Sequence, residues 1–277
     1  MGTFTTNSGM TVGYRDRGEG PVVLAIPGGP LRDADYLEEF GGLPDEGFRL
    51  VTLELPGTGR TPTPWDPAGW SAAAVADHVE ELRQHLGLEQ IALLAHSAGA
   101  GAAYVYSRQH PERVARMVLV TPSNRCLGLE DTDEEWERQR NKRAHEPWFH
   151  SAHEALEQMA QHGPTPELRA AMAPLLYARW DARSQGHSRV GQDDRTGVAH
   201  YWRGLPPRPE LAAAMRHVTT PVRLLTGELD MAPGPELASR MCALFPDATF
   251  TQLSGCAHFP WIDEPEAFRV ALLTALG

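Results

Sequence analysis

The sequence predicts an α/β fold: a mostly parallel sheet with helices on both faces, interrupted once by a long helical insertion. Three observations carry this prediction. Short apolar runs of the kind found in strands covered on both sides recur at residues 22–26, 91–95, 114–120 and 221–227. Glycine- and proline-rich loops and stretches of helical spacing alternate with them. From about Ser123 to His217, by contrast, no convincing buried strand occurs.

In chain order, Met10 to Asp16 alternates like an early antiparallel strand, and Gly18-Glu19-Gly20-Pro21 makes a turn. Val22 to Ile26 is a buried strand running into Pro27-Gly28-Gly29-Pro30. Arg49 to Leu55 is the next strand, followed by the turn Pro56-Gly57-Thr58-Gly59-Arg60-Thr61. Ser71 is an N-cap for a helix over Ala72 to Leu86, whose apolar face is Val75, Val79, Leu82 and Leu86 and whose stop is Gly87. Ile91 to Ala95 is a strand, and a helix runs from the following small residues to His110-Pro111. Val114 to Val120 is another strand. Helical stretches at Asp131–Arg143, Ala152–His162 and Pro166–Tyr177 fill the insertion. Strands then resume at Pro221–Gly227 and Ala248–Leu253, with helices at Pro235–Phe245 and Glu264–Leu276. The expected division is a core of residues 1–122 and 218–277 with a helical cap of 123–217.

Composition narrows the function. A chain of 277 residues, 42% hydrophobic, suits one large domain with an insertion. The formal charge of -11 argues against binding nucleic acid or an anionic membrane through a basic surface. Apolar runs fall far short of a membrane span, and the N-terminal residues lack the pattern of a signal peptide. Cys126, Cys242 and Cys256 are odd in number and widely spaced, which argues against a disulfide framework and a metal site. These features lead us to expect a reduced, cytoplasmic monomer or homodimer acting on a small molecule.

The chemistry centres on Ala95-His96-Ser97-Ala98-Gly99. A serine at a sharp strand-to-helix turn has backbone pressed against it on both sides, so its flanks must be small. The segment resembles the nucleophile elbow of the α/β-hydrolases, Gly-x-Ser-x-Gly, with Ala95 in the first glycine position. The competing reading is an ordinary strand–helix junction with a surface serine, and the downstream residues decide between them. Asp230 and His258 follow in the order that the α/β-hydrolases use, each in a loop after an apolar strand. Ala257-His258-Phe259-Pro260 resembles the Gly-His-Phe-Pro tail of the superfamily.

Gly28-Gly29-Pro30 resembles the His-Gly-Gly-Pro-Gly loop of the proline iminopeptidase branch, with Pro27 for the histidine and Leu31 for the last glycine. A plain Gly-Pro turn is the alternative. Glu54 to Thr61 resembles the Asp-x-x-Gly-x-Gly-Arg-Ser segment, where Arg60 is read as tying a loop. The resemblance covers most of the core but not the cap. It implies an α/β-hydrolase fold with an eight-stranded sheet, no metal and no organic cofactor. It also assigns Ser97 as nucleophile, His258 as base, Asp230 as its orienter, and the N–H groups of Gly29 and Ala98 as oxyanion donors.

Several residues compete for these roles or for substrate contact. Glu228, two residues before Asp230, is the alternative acid. Cys256 sits near His258 but outside an elbow, and His96 reads as a packing residue. His145, His150 and His153 form a histidine cluster without the acidic or thiol ligands that would complete a metal site. Pro30, Trp148, Trp180, Trp202 and Phe259 are the candidate substrate contacts.

The elbow reads like that of an esterase, whereas the Gly-Gly-Pro loop implies aminopeptidase activity. The latter needs a carboxylate in the pocket to pair a substrate ammonium. Candidates in the cap are Glu130, Asp131, Asp133, Glu134, Glu135, Glu154, Asp181, Asp193 and Asp194, of which 130–135 read as the acidic first turn of a helix. Hydrolysis of a small ester, thioester or amide is the leading function. A proline iminopeptidase-like enzyme is the alternative, and a non-catalytic receptor on the same fold is the reading from another class.

Overall fold

The computed structural model describes residues 1–192 and 196–277. Its centre is one eight-stranded sheet in the order β1-β2-β4-β3-β5-β6-β7-β8. The strands are β1 (Gly2–Thr5), β2 (Thr11–Arg17), β3 (Val22–Ile26), β4 (Arg49–Leu53), β5 (Ile91–His96), β6 (Val114–Val120), β7 (Val222–Gly227) and β8 (Ala248–Leu253). The first two pair antiparallel, as do β2 and β4, and every other pairing is parallel. β1 leaves no clear mark in the sequence. It has four residues with only Phe4 turned to the core, too little pattern to distinguish a strand from a loop.

The helices are α1 (Glu38–Gly42), α2 (Ala72–His85), α3 (Gly99–Gln109), α4 (Asp133–Asn141), α5 (Phe149–His162), α6 (Pro166–Met172), α7 (Ala182–Ser188), α8 (Arg208–Met215), α9 (Pro235–Cys242), α10 (Pro260–Asp263) and α11 (Pro265–Leu276); α2, α3, α8 and α9 contribute to the core on one side of the sheet and α1, α10 and α11 to that on the other. Their ends follow local chemistry. Ser71 caps α2 through the Ala74 N–H, and Thr132 and Glu135 form a capping box on α4. Asp133, Glu134 and Glu135 form the acidic first turn expected of this segment, whereas Glu130 and Asp131 precede the cap and lie outside the helix.

The two sides of the sheet bury separate clusters. Leu24, Val51, Leu93 and Leu119 pack on α2 and α3, while Val23, Leu94, Val118 and Leu225 pack on Trp261, Phe268 and α11. Side chains alternate across a strand, so neighbours such as Leu93 and Leu94 serve opposite layers. Between β6 and β7 the described residues form helices α4 to α8 joined by turns and loops, with no strand. The last of these helices, α8, packs on α3, and its Leu211 and Met215 belong to the same cluster as Leu93. Packing therefore joins residues just before 217 to the core. Among the described residues no helix is long and apolar enough to cross a membrane.

Strand register positions the site. Ile26 lies opposite Ala95, His96 opposite Val120, Val120 opposite Leu225, and Gly227 opposite Leu253. The parallel strands therefore end in one row, and the loops leaving β3, β5, β7 and β8 meet above the same sheet edge.

Candidate active site

Ser97 follows β5 directly and has φ of 50°, the left-handed region. A non-glycine residue there costs on the order of 1–3 kcal/mol and needs to be held by its surroundings. Its N–H donates to Val120 O at 3.0 Å, and its carbonyl accepts from Ala100 N and Ser123 N. Helix α3 begins two residues later, and Gly99 lies so close to β3 that a Cβ would sit 2.6 Å from the carbonyl oxygens of Ile26 and Pro27. The small flank therefore has a direct steric cause.

The structure brings Ser97, His258 and Asp230 together. His258 Nε2 is 2.9 Å from Ser97 Oγ, and His258 Nδ1 is 3.0 Å from Asp230 Oδ2 and 3.2 Å from Oδ1. With Asp230 as acceptor, Nδ1 carries the proton, and Nε2 is left to accept from the serine hydroxyl. Asp230 is fully buried and also accepts from Ala232 N at 2.9 Å. Gln139 on α4 donates to the carbonyls of Glu228 and Asp230, so the insertion braces this loop. Glu228 faces elsewhere: its carboxylate accepts from Ser254 Oγ and Gly255 N, which hold its pKa below the usual range. Cys256 is fully buried, and burial pushes its thiol up to about 12, which leaves it unreactive near neutral pH.

Three residues that the sequence did not single out complete the frame. Asp263 accepts from Ala257 N and Ala178 N, fixing the peptide before His258 to the insertion. Burial pushes its carboxyl up to about 6, and those N–H donors oppose the rise. Tyr36 is also fully buried. Its hydroxyl accepts from Gly28 N at 2.6 Å and donates to His96 Nδ1 at 2.7 Å, and His96 Nε2 donates to His258 O at 3.1 Å. Burial and the nearby His258 hold His96 well below its ordinary pKa, so it is neutral and Nδ1 can accept. One hydrogen-bonded chain thus links the loops after β3, β5 and β8. The packing role read for His96 includes this link. Arg32 is the third residue, buried beside the same loops.

Gly29 has φ of 113°, and a Cβ there would stand 2.7 Å from Arg32 N, so glycine is required. Ala98 N has no hydrogen-bond acceptor among the described residues, and Ala98 O accepts from Tyr201 Oη.

A cavity of about 960 Å³ opens over Ser97 and His258, with Gly29, Pro30, Trp180 and Phe259 in its wall. Trp148 and Trp202 are not in that wall, which corrects the expectation that they contact substrate. Trp148 packs beside Phe149 in a small cluster with Leu175 and Met231 and lies under the Arg143 guanidinium. Trp202 is edge-on to Tyr201 and packs against Gly101 of α3. Tryptophan burial cannot be sorted into core and pocket from spacing alone. A second groove, of about 750 Å³ near β1 and α2, contains none of the predicted site residues.

Among the described residues, no Asp or Glu lines the cavity over Ser97. Several candidate carboxylates have other partners: Glu135 pairs with Arg240, Glu130 with Arg208, and Asp181 caps α7. Asp193 and Asp194 lie outside the described residues. His153 packs against Trp136 and Phe149 and faces Glu157, and His145 faces Glu146.

Residues 21–265 match the family model described as the alpha/beta hydrolase fold. A bifunctional esterase/perhydrolase of Acinetobacter calcoaceticus is 32% identical over 124 residues, a match spanning 44% of each chain. A proline iminopeptidase of Levilactobacillus brevis is 25% identical, with 90% of this chain and 86% of that protein covered. Among solved structures, a thermophilic esterase from Thermogutta terrifontis superposes with a TM-score of 0.72 at 24% identity, covering 99% of this chain and 96% of the other.

Proposed function

The chain belongs to the α/β-hydrolase family and is a hydrolytic enzyme, and from that premise we propose that it cleaves a small ester or thioester through an acyl intermediate on Ser97. The observation that carries the proposal is the unbroken contact from Asp230 through His258 to Ser97 at the cavity wall. Serine is a weak nucleophile until a base takes its proton. His258 Nε2 receives that proton as Oγ bonds to the acyl carbon, and the C=O electron pair moves onto oxygen. The N–H groups of Gly29 and Ala98 hold this oxyanion, with the N-terminus of α3 adding its dipole. Removing one such donor costs roughly 3–4 kcal/mol of barrier. His258 then protonates the departing alkoxide or thiolate. A water enters, gives its proton to His258 and bonds to the acyl carbon, and Ser97 leaves as the proton returns to it. Asp230 keeps Nδ1 protonated throughout and stabilises the imidazolium.

An iminopeptidase must pair a substrate ammonium, because an unpaired buried cation is expensive. The arginines Arg32, Arg125, Arg169 and Arg189 in the described cavity wall disfavour a substrate ammonium and support the ester reading. A receptor on this fold would be free to shed its base or acid, and the retained contacts argue for catalysis. The test compares kcat/KM for a p-nitrophenyl ester and for proline p-nitroanilide at pH 7.5, each corrected for its uncatalysed rate. Faster ester cleavage is expected. A preference for the prolyl amide would replace this reading with the peptidase one.

A further inference from the structure

The cavity wall carries four arginines, Arg32, Arg125, Arg169 and Arg189, in a chain with net charge of -11. Arg125 and Arg189 are exposed, Arg169 is half-buried, and Arg32 is only 4% exposed. None of the four has a carboxylate within ion-pairing distance among the described residues. Elsewhere Arg15, Arg49, Arg60, Arg83 and Arg240 each hold at least one. The position of Arg32 is the telling one. Its Nε donates to Val190 O at 2.8 Å and its Nη2 to His187 O at 2.9 Å. The guanidinium lies 4.2 Å from the centre of the Tyr36 ring and 5.4 Å from that of Phe259. These contacts orient the cation and partly replace its water, but none cancels its charge. Burial draws its pKa down, although arginine stays charged. Burying a charge without a counter-ion is costly, and such groups are normally paired.

We propose that Arg32 binds a carboxylate of the substrate, so that the ester cleaved at Ser97 is one bearing a second, ionised acid group. Arg125, Arg169 and Arg189 attract that anion to the cavity. The proposal refines the hydrolase reading and names its substrate class. Arg32 follows the Gly29-Pro30 turn by two residues, and its rings Tyr36 and Phe259 adjoin His96 and His258. A carboxylate held there is therefore anchored beside the reacting groups, while Met159, Met172, Leu176 and Trp180 offer an apolar wall for the chain between the two acid groups.

The experiment compares two esters of equal chain length, monoethyl adipate and ethyl hexanoate, by pH-stat at pH 7.5. A charge-assisted contact predicts a kcat/KM about 10–100-fold higher for the anionic ester. Arg32→Lys keeps part of that preference, and Arg32→Met abolishes it. Separately, calorimetry with the Ser97→Ala protein measures adipate against adipamide, with adipate expected to bind at least tenfold tighter. The wild-type comparison and the calorimetry need no Arg32 variant, so misfolding of Arg32→Met leaves the test intact. Binding of adipate by a protein that hydrolyses neither ester supports the anion site and defeats the hydrolase reading. Hydrolysis of both esters at similar rates, with adipate bound no better than adipamide, overturns the anion site and leaves the hydrolase reading standing. Tighter binding of hexyl phosphate than of hexanoate overturns the carboxylate assignment.

Discussion

Tyr36→Phe removes one oxygen and keeps the ring that packs on Trp261 and Phe259. It strips the Gly28 N–H of its acceptor and His96 Nδ1 of its donor, both in surroundings closed to water. An unsatisfied buried polar group costs about 1–3 kcal/mol, so two such groups should cost roughly 3 kcal/mol together. For a domain of this size that corresponds to a fall in Tm of about 6–12 °C. The same hydroxyl fixes the β3 loop to His96, which in turn holds the carbonyl of His258. Since a misplacement of about 1 Å can cost 10²-fold, a shift of a few tenths of an ångström should lower kcat about tenfold. Urea unfolding gives the first number and ester turnover the second. A stability loss below about 0.5 kcal/mol with unchanged kcat would refute the claim that this hydrogen-bonded chain aligns the loops.

Other perturbations test other parts of the frame. Asp230→Asn should lower kcat on the order of 10⁴-fold through the wrong histidine tautomer, whereas Glu228→Gln should cost less than about tenfold; steady-state kinetics with the two results exchanged would make Glu228 the orienter. Gly99→Ala drives a Cβ into two β3-loop carbonyls, and overpacking of this kind costs about 1–3 kcal/mol and displaces Ser97; Gly186→Ala, which meets nothing within 4 Å on α7, should leave activity alone and add a few tenths of a kcal/mol in the same urea assay. Burial pushes the His78 pKa down to about 4, so the folded protein takes up its proton later than the unfolded chain does. The stability this group contributes is complete above pH 6.5 and is lost as pH falls toward 4, by roughly 3 kcal/mol. Asp131 and Asp263, raised to about 6, act in the opposite sense. The useful readout is therefore the difference in Tm between wild type and His78→Gln across that range, and an unchanged slope would show that His78 is not held neutral.

The core was legible because its signals are local. The run 22–26 and the strand 248–253 have the bounds read from pattern alone, and Ser71 caps its helix as its position suggests. Ser97, Asp230 and His258 could be read because each follows an apolar strand, in a fixed chain order. Tyr36 could not: it meets His96 across 60 residues, and nothing in the sequence near either one records the contact. Asp263 lies in the same tail as His258, and the buried N–H groups it serves are a property of packing. Arg32 did leave a mark, a charged residue just past the Gly-Gly-Pro turn, but burial is what turns that mark into chemistry. The tryptophans of the insertion illustrate the remaining limit, since only the packed structure separates Trp180 on the cavity wall from Trp148 and Trp202, which pack elsewhere.

The central claim is that Ser97 is the nucleophile activated by His258. It is tested most directly by treating the protein with a fluorophosphonate and locating the adduct by peptide mass mapping. The account predicts a single adduct on Ser97, absent from Ser97→Ala and formed at least about 10³-fold more slowly in His258→Ala. Labelling at another residue, or of Ser97→Ala at the wild-type rate, would contradict it.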